Sequence, residues 1–285
     1  MIPTEFDYQR ATSVDDALSK LAASNGAAKL LAGGHSLVPL MKLRLSEPQT
    51  LIDIGRIPEL SGIRDEGVAI EIGAGTVHHA VATSALVAEA CPALAEAAAA
   101  IGDQQVRNRG TMGGSVAHAD PAADYPAALI ALGAEIRVKG PKGARAVKAE
   151  DFFVDLFTVD LAPDEIVTAV RVPKVKASAY AKLVQRASHF AIVGVAAAVE
   201  VKGGAFASAR IGLTGASSHA IRLAGVEKLL VGKKATDATI AAAAEQAAAG
   251  VDPVNGDIHA SEAYRRAMIG VFVKRALSAA VARSA

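Results

Sequence analysis

The chain has 285 residues, with 30 Lys and Arg against 29 Asp and Glu and a formal net charge of +1. That length holds one large domain or two to three small ones, and the even charge asks for neither nucleic acid nor an anionic membrane as partner. Hydrophobic residues make up 52%, much of it alanine, yet no apolar run reaches the roughly 18 residues that span a bilayer.

Residues 1–6 carry neither the basic nor the apolar region of a signal peptide, which predicts a cytoplasmic chain. The single cysteine, Cys91, excludes an internal disulfide framework and a cysteine-ligated cluster of its own. Next to Pro92 at a helix start, it reads as a buried structural thiol. If this protein handles electrons, its own centre must be an organic cofactor.

Along the chain, Ser13 with Asp15 and Asp16 predicts a capped helix through about Ala23. Residues 28–31 read as a short buried strand ending at Gly33, and a helix follows from Ser36 over Leu37, Leu40 and Met41. Residues 50–54 form another strand, closed by Gly55, which makes a small βαβ-like unit. From about Leu60 to Pro173 the pattern changes. Residues 67–73 alternate as a strand, and 77–85 and 92–101 read as helices. Residues 102–124 read as a long irregular segment, which in a compact domain is usually functional. A helix starts at Pro126, and strands occupy 134–138 and 165–172. Beyond Ala177 come three strands, 180–185, 191–201 and 205–214, then helices near 220–231, 237–249 and 261–282. Lys202-Gly203-Gly204 suits a hairpin turn. The fold class is α+β, with domains over 1–174 (subdomains of about 1–56 and 57–174) and 175–285.

Two glycine pairs carry most of the chemical information. One lies in Ala32-Gly33-Gly34-His35-Ser36-Leu37 and the other in Thr111-Met112-Gly113-Gly114-Ser115. Glycine reaches φ > 0 without a Cβ penalty, so a pair can aim successive amides at one anion. Two such loops predict a ligand with two linked phosphates, a dinucleotide such as FAD, although neither loop has Rossmann or P-loop spacing. Taken alone, the first loop reads equally well as a strand-to-helix turn with Ser36 as cap. In the second, Asp124 is placed to bond a ribose or to cap the next helix, and Asp120 before Pro121 suits a turn. The seven histidines form no metal set: His78 and His79 diverge on a helix, and His118, Asp120 and Asp124 are a weak trio.

These loops, together with Gln105-Val106-Arg107-Asn108-Arg109-Gly110 and His118-Ala119-Asp120-Pro121-Ala122-Ala123-Asp124, resemble the FAD-binding medium subunit of molybdenum hydroxylases, the carbon monoxide dehydrogenase type above all. The resemblance covers the whole chain. It implies a two-subdomain FAD-binding fold of the vanillyl-alcohol-oxidase (PCMH) type, followed by a C-terminal α+β domain with a three-stranded antiparallel sheet and helices. It implies that Ala32, Gly33, Gly34, His35, Ser36 and Leu37, with Thr111, Gly113, Gly114 and Ser115, hold the pyrophosphate. His118 would lie beside the cofactor and Asp124 on the ribose. Ile166 and Val167 would pass near the flavin. Lys182 matches a family lysine near the flavin ring, where it would favour the reduced, anionic flavin. Phe190 falls where relatives place an aromatic residue by the isoalloxazine, although Ser188-His189-Phe190 departs from the commoner acidic–aromatic pair.

By the same resemblance, no side chain of this chain acts as a catalyst and no metal is bound. Molybdenum cofactor would sit in a large partner subunit and two [2Fe-2S] clusters in a small one, the three forming a dimer of heterotrimers, cytoplasmic or held at the inner membrane face through partners. FAD would pass electrons from the clusters to an external acceptor. The single cysteine speaks against the branch similar to 4-hydroxybenzoyl-CoA reductase, whose flavin subunit carries an extra cluster. Rival readings are a self-contained FAD-dependent reductase using NAD(P)H, a scaffold with a decayed flavin site, and a nucleotide-binding regulator.

Overall fold

The computed structural model describes residues 2–284. The first unit contains β1 (Asp7–Arg10), α1 (Val14–Ala23), β2 (Ala28–Leu31), α2 (Leu37–Lys42) and β3 (Thr50–Asp53). Ser13 caps α1 as its sequence predicts: the hydroxyl accepts from Asp16 N at 3.0 Å. The three strands run parallel in the order β1–β3–β2. β1 escapes sequence patterning because all four of its residues are exposed, so no alternation marks it. The turn after β2 opens at a carboxyl edge, where parallel sheets usually bind ligands.

The second unit runs through β4 (Ile63–Asp65), β5 (Ala69–Gly73), α3 (His78–Thr83), α4 (Ala85–Ala90), α5 (Pro92–Ala100), α6 (Gln104–Arg107), α7 (Met112–His118), α8 (Asp124–Leu132), β6 (Glu135–Gly140), β7 (Gly143–Lys148), α9 (Ala149–Phe152), β8 (Phe153–Asp155), β9 (Thr158–Val159) and β10 (Ile166–Pro173). Its five-stranded sheet has the order β4–β5–β10–β6–β7, antiparallel throughout.

Residues 102–124 are not the irregular segment expected, for they carry α6 and α7. Asp103 caps α6 by accepting from Val106 N at 2.8 Å, and Thr111 caps α7 by accepting from Gly114 N at 3.1 Å. Glycines at two positions of the first turn hide α7 from propensity and periodicity alike. The helix expected over 77–85 breaks at Ser84, whose hydroxyl caps α4 instead. α8 begins at Asp124 rather than at Pro126, which occupies the first turn, where a missing N–H costs nothing.

The third unit has β11 (Ser178–Val184), β12 (Ala191–Lys202), β13 (Ala205–Thr214), β14 (Ile221–Arg222), α10 (Ala224–Leu230), α11 (Asp237–Glu245) and α12 (Glu262–Ala282). The sheet is therefore four-stranded, not three-stranded: β14 pairs with Gly212 and Leu213 and delays the helix expected from 220. A two-residue strand is too short to leave a periodic signal.

The units are fused by helices rather than merely linked. All nine residues of α8 are buried, and α8 packs on β12 and β13. Gly212 permits this approach: a Cβ there would lie 2.9 Å from the Ala127 carbonyl carbon. Glu150 then ties the units electrostatically, accepting from Arg210 at 3.0 Å and from Arg222 at 2.9 Å. Cys91 is fully buried and its thiol donates to Pro173 O at 3.2 Å. Burial pushes that thiol up from its ordinary value, so it is a packing group and not a nucleophile.

Candidate functional site

The turn from Ala32 to Ser36 joins β2 to α2. Only Gly34 of the four paired glycines has positive φ, at +76°. The Val38 N–H donates to Gly34 O at 3.0 Å, while Gly33 O is met by His35 Nδ1 at 3.0 Å. The N–H groups of Gly33, Gly34, His35 and Ser36 have no protein acceptor among the described residues, and the Ser36 hydroxyl makes no cap bond to α2. Four consecutive orphan amides on an accessible turn invite an anion.

The second glycine pair works differently from expectation. Met112 N donates to Thr76 O at 2.9 Å, Gly113 N to Ala74 O at 2.7 Å, and Gly114 N to the Thr111 hydroxyl. These amides are already taken, so they do not form the second half of an amide clamp. Gly113 is needed for close approach, because a Cβ there would stand 2.9 Å from Ala74 Cα. What α7 offers an anion is the free Thr111 N–H just before its first turn, the exposed face of Gly114 and the Ser115 hydroxyl, which has no partner.

The two turns meet. A Cβ on Gly33 would fall inside the Arg109 carbonyl group and 2.9 Å from Gly110 Cα. Turns 76 residues apart in sequence thus pack directly against each other.

Beneath this junction sits His78, 5% exposed. Its backbone N–H donates to Gly110 O at 2.9 Å, and its ring lies edge-on to Tyr125 with Nδ1 3.2 Å from the phenol oxygen. Burial, with His35 and Arg107 nearby, depresses its pKa from 6.5 to about 4. A group depressed on folding contributes stability above its unfolded pKa and loses it as pH falls through the folded one. The flavin-free chain should therefore lose about 3 kcal/mol between roughly pH 6.5 and 4 on account of this residue. Thermal unfolding across that range should be flatter for His78→Gln than for the wild type, and parallel curves would refute the assignment.

A cleft of about 870 Å³ opens between the end of α5, α6 and β11. Lys182 and His189 line it, as do Arg107 and Arg186. The Lys182 ammonium donates to Asp124 Oδ1 at 2.7 Å, Asp124 Oδ2 at 2.9 Å and Ala100 O at 2.8 Å. The two Asp124 oxygens lie too close together to take separate protons, so these contacts engage two of the three N–H groups and pair the charge with Asp124 rather than leaving it free for a flavin. Asp124 is likewise no free ribose ligand: it is 3% exposed and also accepts from the Tyr180 hydroxyl at 2.6 Å. Burial pushes the Asp124 carboxyl up and the Lys182 ammonium down. Lys182→Met is expected to lower the melting temperature and to leave the flavin potential near the wild-type value, in spectroelectrochemical titration of the loaded protein.

His118 ends α7, half-buried, with its ring 5.1 Å from that of Phe157. Ile166 and Val167 are 2% and 5% exposed, at the start of β10 beside α7. Phe190 is exposed on the turn between β11 and β12, away from Lys182 on a second hollow lined by Asp120, Ser188 and Arg265. Asp120 is a turn residue, accepting from Ala122 N at 2.8 Å. Sequence reasoning missed His78 and Tyr180, since the contacts that give them importance are 32 to 56 residues distant in the chain. Among the described residues no cluster of His, Cys, Asp and Glu could hold a metal ion.

A parallel three-stranded unit, an antiparallel sheet and two meeting glycine turns define a dinucleotide-binding protein. Residues 4–175 match the FAD-binding domain of molybdopterin dehydrogenases, and residues 178–280 match the carbon monoxide dehydrogenase flavoprotein C-terminal domain. The chain belongs to this family: it is an FAD-binding medium subunit of a molybdenum hydroxylase. It is 43% identical to the carbon monoxide dehydrogenase medium chain of Hydrogenophaga pseudoflava, over the whole of both chains. It is 40% identical to the alpha subunit of the 6-hydroxypseudooxynicotine dehydrogenase complex of Paenarthrobacter nicotinovorans, over 100% of this chain and 97% of that one. The crystal structure of the Hydrogenophaga pseudoflava carbon monoxide dehydrogenase lacking the Mo-pyranopterin moiety superposes with a TM-score of 0.96 at 44% identity, each chain fully covered. These relatives are subunits of larger dehydrogenases, and a self-contained NAD(P)H-dependent reductase finds no support among them.

Proposed function

We propose that this chain relays electrons through FAD, from [2Fe-2S] clusters of a small partner subunit to an external acceptor, while a large partner holding molybdenum cofactor oxidises the substrate. Bound FAD supplies the redox chemistry, taking electrons singly and releasing them in pairs. The residues present fit it. The orphan amides of Gly33, Gly34, His35 and Ser36, with the hydroxyls of Ser36 and Ser115 and the Thr111 N–H, would hold the diphosphate. Ala32 and Leu37 frame the first turn. The cleft beside Lys182 would take the ring end, its floor held by the Asp124–Lys182 pair. His118 would flank the cofactor at the far end of α7.

The approach of Gly33 to Arg109 and Gly110 carries this reading, because it brings the two glycine turns side by side. Two relatives of near-equal identity act, by name, on different substrates, which fits a chain that does not choose the substrate. The divisions 1–56, 57–174 and 175–285 are read as two cofactor subdomains and a third unit that closes the ring end. No described helix is long and apolar enough to cross a membrane, and we read the assembly as a doubled heterotrimer.

The test is a fluorescence titration of the purified chain with FAD, joined to affinity purification from native cells. The expected outcome is quenching to a one-to-one endpoint and recovery of a molybdenum and an iron–sulfur subunit in equal amounts. A chain that leaves flavin fluorescence untouched, alone and in its complex, would overturn the reading.

A further inference from the structure

We propose that His78 is an additional ligand of the cofactor's diphosphate, donating its Nε2–H to a phosphate oxygen from the floor of the junction between the two glycine turns, with Tyr125 holding it in that tautomer. The inference rests on the FAD reading above and adds to it a residue outside both glycine loops.

Three observations converge. First, Nε2 lies at the junction: a Cβ on Gly110 would sit 2.5 Å from it, and Gly110 Cα is also what a Cβ on Gly33 would meet at 2.9 Å. Gly110 is thus flanked by His78 on one side and the first turn on the other. Glycine is required there because a side chain would push the imidazole from its place beside the turn. Second, Nε2 has no protein partner, although the residue is 5% exposed. The buried, unpartnered side-chain nitrogens among the described residues belong to Arg137 and Arg265, so Nε2 is not sealed inside the core. A histidine this deep usually has both nitrogens satisfied. Third, the other nitrogen is assigned. The fully buried Tyr125 phenol stays protonated and has no other acceptor among the described residues, so its O–H is satisfied only by donating to Nδ1, 3.2 Å away. With Nδ1 accepting, the proton of the neutral ring must reside on Nε2.

The surroundings favour a neutral donor over a cation. His35 from the first turn and Arg107 from α6 face the imidazole and oppose a positive charge on it, and Tyr125 from α8 contributes none. A neutral N–H adds a directed bond to the diphosphate. The positive charge there comes from Arg107, which among the described residues has no carboxylate partner and bonds Ile101 O, Gly102 O and the Gln104 amide oxygen.

The experiment uses the full chain and three probes: FAD, ADP, which keeps the diphosphate, and riboflavin, which lacks it. Tyr125→Phe is compared with Tyr125→Phe/His78→Phe, so that no phenol is left unpaired by the loss of the imidazole. The double variant should bind ADP and FAD weaker by the same factor, about tenfold or more, while riboflavin binding is unchanged. A second measurement needs no variant. In the chain carrying 15N-labelled histidine, the imidazole that stays neutral at pH 5.5 should show the Nε2–H tautomer and shift on addition of ADP but not of riboflavin. Equal ADP affinity in the two variants overturns the proposal, as does an Nδ1–H tautomer that ADP leaves unmoved. Failure of the wild type to bind FAD or ADP would sink the underlying FAD reading instead.

Discussion

Gly33→Ala should yield a colourless protein that retains its fold. The new methyl group would lie inside the Arg109 carbonyl group, with the carbonyl carbon at 2.8 Å and Gly110 Cα at 2.9 Å. Both neighbours are backbone, and neither can rotate away. One turn must retreat, and the orphan amides of Gly33, Gly34, His35 and Ser36 then no longer face Thr111 and Ser115. A displacement of that kind costs about 3 kcal/mol of binding, or roughly 100-fold in FAD affinity. Fluorescence titration measures it, and circular dichroism checks the fold. Gly250→Ala is the control, since nothing lies within 4 Å of a Cβ there. FAD affinity within twofold of wild type for Gly33→Ala would show that the two turns do not act together.

The second large effect concerns stability. Asp124→Ala removes the carboxylate that holds Lys182, with both side chains about 95% buried. An ammonium left buried without its partner costs about 3–5 kcal/mol, and the Tyr180 hydroxyl loses its acceptor as well. The melting temperature should fall by on the order of 10 °C. Replacing both charges, as in Asp124→Leu with Lys182→Met, should recover most of that loss, because a buried ion pair is worth little against well-packed apolar groups of similar size. Scanning calorimetry at pH 7 separates the cases. A single variant that melts with the wild type would show that this pair does not hold α8 against β11.

The pair also explains why these residues are difficult to interpret from sequence. Asp124 follows the turn at Pro121 and opens a helix, the setting of a ribose ligand or a cap. Lys182 lies on a strand that faces a cleft, the setting of a flavin ligand. Each side chain taken alone points at the cofactor. In the folded chain they point at each other, across 58 residues of sequence, because a buried carboxylate and a buried ammonium each lower the other's desolvation cost.

Much of the remaining fold was legible. Ser13 caps α1 as expected, and the strands of the third unit lie within two residues of the expected 180–185, 191–201 and 205–214. The misses were short, exposed or glycine-bearing elements: β1, β4, β7, β8, β9, β14, α4, α6, α7 and α9. Each lacks the few turns or alternations that a periodic reading requires.

What the sequence determined by itself was therefore local: caps, alternation, and two loops whose glycines had to be glycines. Its family motifs extended that to FAD and to a place in a molybdenum hydroxylase. Only the tertiary structure decided what each glycine is for. Gly34 supplies a left-handed turn, whereas Gly33, Gly110 and Gly113 make room for backbone or an imidazole from elsewhere. It also decided which amides stay free, which histidine packs beneath Gly110 and which charges pair. The physical reason is range. A cap or a turn is satisfied within four residues, but the acceptor of a loop N–H and the neighbour of a missing Cβ are chosen by segments 30 to 80 residues apart, which meet only when the core closes.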